Sequence, residues 1–73
     1  MSDMERAALE VLRMAALLYN DAEILRDAIE GDEHDQFSAD YIRIEMDRTR
    51  TSADELKQAV DEMLATFGRR VQP

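Results

Sequence analysis

The stretch MERAALEVLRMAALLYNDAEILRDAI, residues 4–29, decides the fold. Within it Met4, Ala8, Val11, Ala15, Leu18, Ala22, Leu25 and Ile29 recur at alternating steps of four and three. That spacing draws an apolar seam along one side of a long helix. Arg6, Arg13, Asn20 and Asp27 fall on one line opposite the seam, and all four are polar. Ser2 is placed to cap the helix, with Asp3 and Glu5 in its first turn, where the helix dipole favours anions. The spacing predicts a helix over about 3–30, stopped by Gly31 as a C-terminal cap residue.

A second seam follows. Ile42, Met46, Thr49, Ala53, Leu56, Val60, Met63 and Phe67 keep the same alternation. Between the seams, residues 31–38 read as a polar loop, with Ser38 capping the second helix and Phe37 stapling onto Ile42. The second helix is expected over about 39–67, ended by Gly68, with a frayed tail over 68–73. Ser52 and Glu55 have the spacing of a capping box and could start a third helix. The seam passes through them in register, so one helix is the reading, with Thr51 the place where it could bend or break. Two long helices joined by a short loop make an all-α antiparallel two-helix hairpin, here a single helical domain over 1–73.

Composition sets the limits on that hairpin. Two Gly and one Pro leave few chain breakers, and a lone core of 73 residues is marginal without outside support. Without cysteine there are no disulfides or thiolate metal sites, which leaves oligomerisation or unusually good helix packing. Leu9, Ala16, Leu17 and Ile24 lie on a flank beyond the first seam. A single partner helix would leave them in water, although burying a Leu or Ile is worth roughly 1.5–3 kcal/mol. They are therefore expected to form a dimer or partner interface, with two hairpins pairing into a four-helix bundle.

Charge narrows the partners. Seventeen Asp plus Glu against nine Lys plus Arg give a net charge of −8, an unfavourable field for nucleic acid or an anionic membrane. No stretch reaches the ~18 apolar residues of a membrane span, and Met1–Arg6 lacks the basic start of a signal peptide, so a cytoplasmic protein is expected. Asp40, Asp47, Asp54 and Asp61 repeat every seven residues on an outer line. Arg43, Arg50 and Lys57 do the same beside the seam, able to set register against an acidic flank of another helix. Acid-first pairs three residues apart, among them Asp40–Arg43, Asp47–Arg50, Asp54–Lys57 and Glu23–Arg26, are expected to support the helices by a few tenths of a kcal/mol each.

Chemistry is sparse. Glu30, Asp32, Glu33, His34 and Asp35 gather oxygen and nitrogen donors, but not at the spacing of a calcium loop, and no second histidine exists for zinc. A solvated turn is the expectation, with no metal and no cofactor. Nothing holds Ser, His and acid groups together, and surface carboxylates lack the burial that tunes a catalytic pKa, so no enzyme is expected. Met4, Met14, Met46 and Met63 suit a core or an adaptable groove.

The function expected is that of a small acidic protein–protein interaction module (an adaptor, chaperone-like subunit or inhibitor) acting as a homodimer. A second reading takes the acidic surface Glu30, Asp32, Glu33, Asp35, Asp40, Asp47, Asp54 and Asp61 as a nucleic-acid mimic that inhibits a nucleic-acid-binding protein, as a phage-encoded anti-defence protein would. Asp residues seven apart stand ~10.5 Å apart, a poor match to phosphates every ~3.4 Å along a strand. A third reading rests on the basic cluster Arg43, Arg48 and Arg50. The hairpin resembles, in shape alone, the small dimeric helical-hairpin RNA binders.

Overall fold

The computed structural model describes residues 1–33 and 39–71, with all their side chains except those of Asp32 and Glu33. Two helices account for nearly all of it, α1 over Asp3–Glu33 and α2 over Ala39–Val71. They pack along their length into a rod 59 Å long, 17 Å wide and 12 Å thick. Thr66 and Arg69 near the end of α2 line one groove with Asp3 and Ala7 near the start of α1, and Asp21 meets Ser52 mid-way. The helices therefore run antiparallel.

Helix α1 begins as its sequence dictates. The Glu5 amide donates to Ser2 Oγ at 3.1 Å, and the Ser2 amide donates to Glu5 Oε1 at 3.3 Å. This reciprocal capping box satisfies two amides that the first turn would leave without partners. The far ends differ from expectation. Helix α1 does not stop at Gly31 but runs through it to Glu33, and Gly31 is buried. Helix α2 likewise passes Gly68 and ends at Val71, with Arg69 and Arg70 in its last turn, where the dipole favours cations. A helical glycine costs about 1 kcal/mol against alanine, which packing and end charges override. The proposed caps at Phe37 and Ser38 lie outside the described residues.

Helix α2 is also continuous through Thr51 and Ser52. The capping-box pattern there is used otherwise. Ser52 is buried and donates its hydroxyl across the interface to the Asp21 carboxylate. Thr49 and Thr51 turn their hydroxyls back onto the carbonyls of Glu45 and Asp47, at 2.8 and 3.1 Å. The Ser52 hydroxyl proton goes to α1, and no new helix starts at Ser52.

The contact between the helices is rotated from the two seams. Alternate members, Met4, Val11, Leu18 and Leu25 with Ile42, Thr49, Leu56 and Met63, are half-buried as expected. The other four positions on each helix shift by one residue. The lines that meet are Ala7, Met14, Asp21 and Ala28 on α1 and Glu45, Ser52, Ala59 and Thr66 on α2. Small side chains dominate these lines, letting the two helices approach closely. Meanwhile Ala8, Ala22 and Ile29, with Met46, Ala53 and Phe67, are left exposed.

Gly68 offers a direct test of this account. A Cβ added there meets nothing within 4 Å. Gly68→Ala is expected to raise stability by about 0.5–1 kcal/mol through helix propensity alone, read as a higher urea midpoint at unchanged slope. A lower midpoint would mean that Gly68 serves as a helix stop in solution.

Candidate interaction surface

The antiparallel pair has two unlike faces. On one, shallow grooves run between the helices, lined by Asp3, Glu10, Glu62 and Arg69 and further along by Arg13, Glu55 and Gln58. These charged positions flank the buried lines on both helices, so both helices turn the same side of their buried line to this face. Helix handedness then places the seam positions of α1 and α2 together on the opposite face. Sixteen seam positions share that face; fifteen are apolar, one is Thr49, and none is charged. Ile29 is 42% exposed, and Met46 and Phe67 are each 52% exposed. Leu12, Tyr19 and Leu64 widen the strip at its edges and are exposed as well.

The flank Leu9, Ala16, Leu17 and Ile24 does not form one patch. Leu9 and Ala16 sit on the outermost line of α1, and both are exposed. Leu17 and Ile24 sit one helix line away, about 100° round, beside the buried line on the grooved face. Leu17 is exposed and Ile24 half-buried. Spacing alone draws each seam as a single line; in the fold its alternate members divide, and Ala8, Ala22 and Ile29, with Met46, Ala53 and Phe67, are exposed.

The buried polar groups lie between the helices. Glu45 is 3% exposed; its Oε1 accepts from Arg48 at 3.4 Å, while Oε2 is buried without a hydrogen-bond partner. Thr49 Oγ1 also donates to the Asp21 carbonyl at 3.4 Å. Thr66 is buried and accepts from Arg69 at 3.0 Å. Thr49 and Ser52, both donating to Asp21, tie α1 to α2 at one height, whereas the bonds of Glu45 and Thr66 stay within α2. Among the described residues, no group of three or more His, Cys, Asp or Glu is placed to hold a metal ion. His34 and Asp35 lie outside the described residues, as do the side chains of Asp32 and Glu33.

The surface charges pair differently from the expected acid-first pattern. Asp3–Arg6, Glu10–Arg13 and Glu45–Arg48 do form. Arg26 turns instead to Asp27 and Glu30, both at 3.8 Å, and leaves Glu23. Arg43, Arg50 and Lys57 enter no ion pair among the described residues, nor do Asp40, Asp47, Asp54 and Asp61. The expected pairs carry only a few tenths of a kcal/mol, too little to hold long exposed side chains. Glu30 on α1 and the four Asp on α2 are exposed, on the outer sides of their two helices.

No family model, curated protein or solved structure matches this chain. Among the described residues no helix is long and apolar enough to cross a membrane. The arrangement itself thus carries the functional reading.

Glu45 yields a prediction that separates stability from surface. A buried carboxylate with one oxygen unpartnered costs more than an apolar side chain of similar size. Glu45→Leu is expected to stabilise the fold by about 1–2 kcal/mol in urea unfolding, at unchanged helical content. A destabilisation of that size would show that the carboxylate has a partner in solution.

Proposed function

We propose that this chain is a small, acidic, non-enzymatic protein–protein interaction module that works as a homodimer, two hairpins forming a four-helix bundle. One observation carries the reading: a broad, uncharged apolar face runs the length of a hairpin whose own interface is built of small and polar side chains. Monomeric soluble proteins rarely leave so large a contiguous apolar surface in water. The exposed seam residues, with Leu12, Tyr19 and Leu64, are spread along a rod 59 Å long, and a stable interface takes about 800 Å² from each partner. No charge on it would have to be desolvated. The acidic outer edges and the grooved face then remain for a further protein.

The acidic line supports the mimic reading less well. Its four Asp stand in one row at helical spacing, and a single row at ~10.5 Å intervals does not reproduce a phosphate backbone.

Light scattering on a sizing column tests the dimer. The expected mass is twice 8.4 kDa. Ala22→Glu with Ala53→Glu places a charge on each exposed half of the apolar face, and the variant is expected to be monomeric yet helical. Leu17→Glu with Ile24→Glu alters the other side of α1 and should leave the dimer in place. A monomeric wild type at every concentration would overturn the homodimer, and a dimeric Ala22→Glu/Ala53→Glu variant would move the contact to another face.

A further inference from the structure

The edges of the apolar face say how a second copy would lie on it. Two hairpins can pair face to face with their connecting segments at the same end, so that α1 of each lies along α2 of the other. They can also pair end for end, so that α1 lies along α1. We infer that the same-end arrangement is the one this chain adopts; the inference rests on the homodimer reading above.

The Asp21–Ser52 hydrogen bond fixes the heights of the two helices. Glu23 lies two residues beyond Asp21, and Arg50 two before Ser52; Glu30 and Arg43 are displaced by nine each. Leu9 and Leu64 match in the opposite direction, displaced by twelve. Each pair therefore stands at one level. Leu9, Glu23 and Glu30 share one outer line of α1, and Leu64, Arg50 and Arg43 share the outer edge of α2 that borders the apolar face. Within one chain these edges lie on opposite sides of the rod. A second copy related by a two-fold along the rod brings them together: Leu9 against Leu64, Glu23 against Arg50 and Glu30 against Arg43. Arg26 then stands level with Asp47 on the neighbouring line, five residues from each reference point.

The unpaired cations fit this arrangement. Arg43 and Arg50 have no ion pair within the described hairpin, and neither does Glu23. Rotation end for end sets α1 against itself. With the two-fold set between Leu17 and Leu18, beside the midpoint of α1, the lines that border the face would bring Leu9 against Arg26, Glu23 against Leu12, and Glu30 against Glu5. Apolar groups would face charges, and two carboxylates would face each other. The outer edge of α2, where acid and base alternate, tolerates either orientation, so α1 makes the choice. Such matching of charge sets orientation more than affinity.

Spin labels test the orientation. The chain has no cysteine, so Asp40→Cys, on the exposed outer line near one end of the rod, gives one label per chain. In the same-end dimer two labels are expected within about 30 Å, since helix axes pack ~8–10 Å apart. End-for-end packing offsets them by about 45 Å along the rod, at ~1.5 Å per residue. A peak near 45 Å overturns the same-end inference while leaving the homodimer standing; a monomeric wild type by light scattering overturns both. Charge exchange gives an independent reading. Glu23→Lys/Glu30→Lys and Arg43→Glu/Arg50→Glu are each expected to weaken self-association on the order of tenfold. Mixing the two variants should restore dimers, because each altered edge then meets its complement. No recovery on mixing would count against α1 lying along α2.

Discussion

The hairpin rests on a narrow contact made of small and polar side chains. Alanine, serine and threonine at Ala7, Ala28, Ser52, Ala59 and Thr66 let two helix backbones approach closely. They bury little apolar area in doing so. Met14 is the one large apolar side chain in the line, and Asp21 and Glu45 bring carboxylates into it. Such a contact specifies how the helices meet better than it stabilises their meeting. The hydroxyl of Ser52 finds Asp21 and fixes the height, while Glu45 keeps one oxygen without a partner. Burying an unpartnered carboxylate oxygen costs free energy that the alanines cannot supply. Of the chain's larger apolar seam side chains, Met4, Val11, Leu18, Leu25, Ile42, Leu56 and Met63 are only half-buried, and Ile29, Met46 and Phe67 are exposed.

Much of this architecture is legible in the residues, and the failures have a common cause. A seven-residue period, the Ser2–Glu5 box and the apolar run to Ile29 place α1 to within a turn. Periodicity identifies apolar lines; it does not say which neighbour covers which line. Ala8, Ala15, Ala22 and Ile29 score as seam because they are more apolar than Ala7, Met14, Asp21 and Ala28 taken together. On α1 the contact runs along the more polar line. Asp21 and Glu45 look like surface residues in a sequence, and only their pairing with Ser52 and Arg48 shows otherwise. Gly31 and Gly68 misplace the helix ends for a related reason. A propensity of about 1 kcal/mol is local, whereas burial at Gly31 and two arginines beyond Gly68 come from context. The site residues fared unevenly. Leu9 and Leu17 are exposed as a free surface must be, but they lie on different lines, and the exposed seam members show only once the contact between the helices is known.

Charge on this molecule is sorted by line. The outer edge of α2 alternates Asp40, Arg43, Asp47, Arg50, Asp54, Lys57 and Asp61, and no ion pair within the described residues joins them. The ion pairs that do form lie on α1, near Glu45 and at the end of α2, where side chains three, four or seven residues apart can meet. A net charge of −8 therefore arises from exposed acids on outer lines, while the apolar face carries none. Two copies brought together on that face would keep their excess negative charge on the outside, spread along the rod and screened by salt over about 10 Å.

The polar seam and the apolar face are linked through height. Ser52 and Asp21 hold α1 and α2 at one relative height, and every other level on the rod follows from it. Glu23 and Arg50, or Glu30 and Arg43, are level only at that height. A slip of one turn along the interface, about 5.4 Å, would put Glu23 beside Asp47 or Asp54 instead of Arg50. A purely apolar seam of leucines would bury more surface but would define the height less sharply, since neighbouring leucine layers are nearly equivalent. The part-buried Asp21–Ser52 pair and the half-partnered Glu45 are then not defects of a small core. They fix the heights of the charged side chains along the rod.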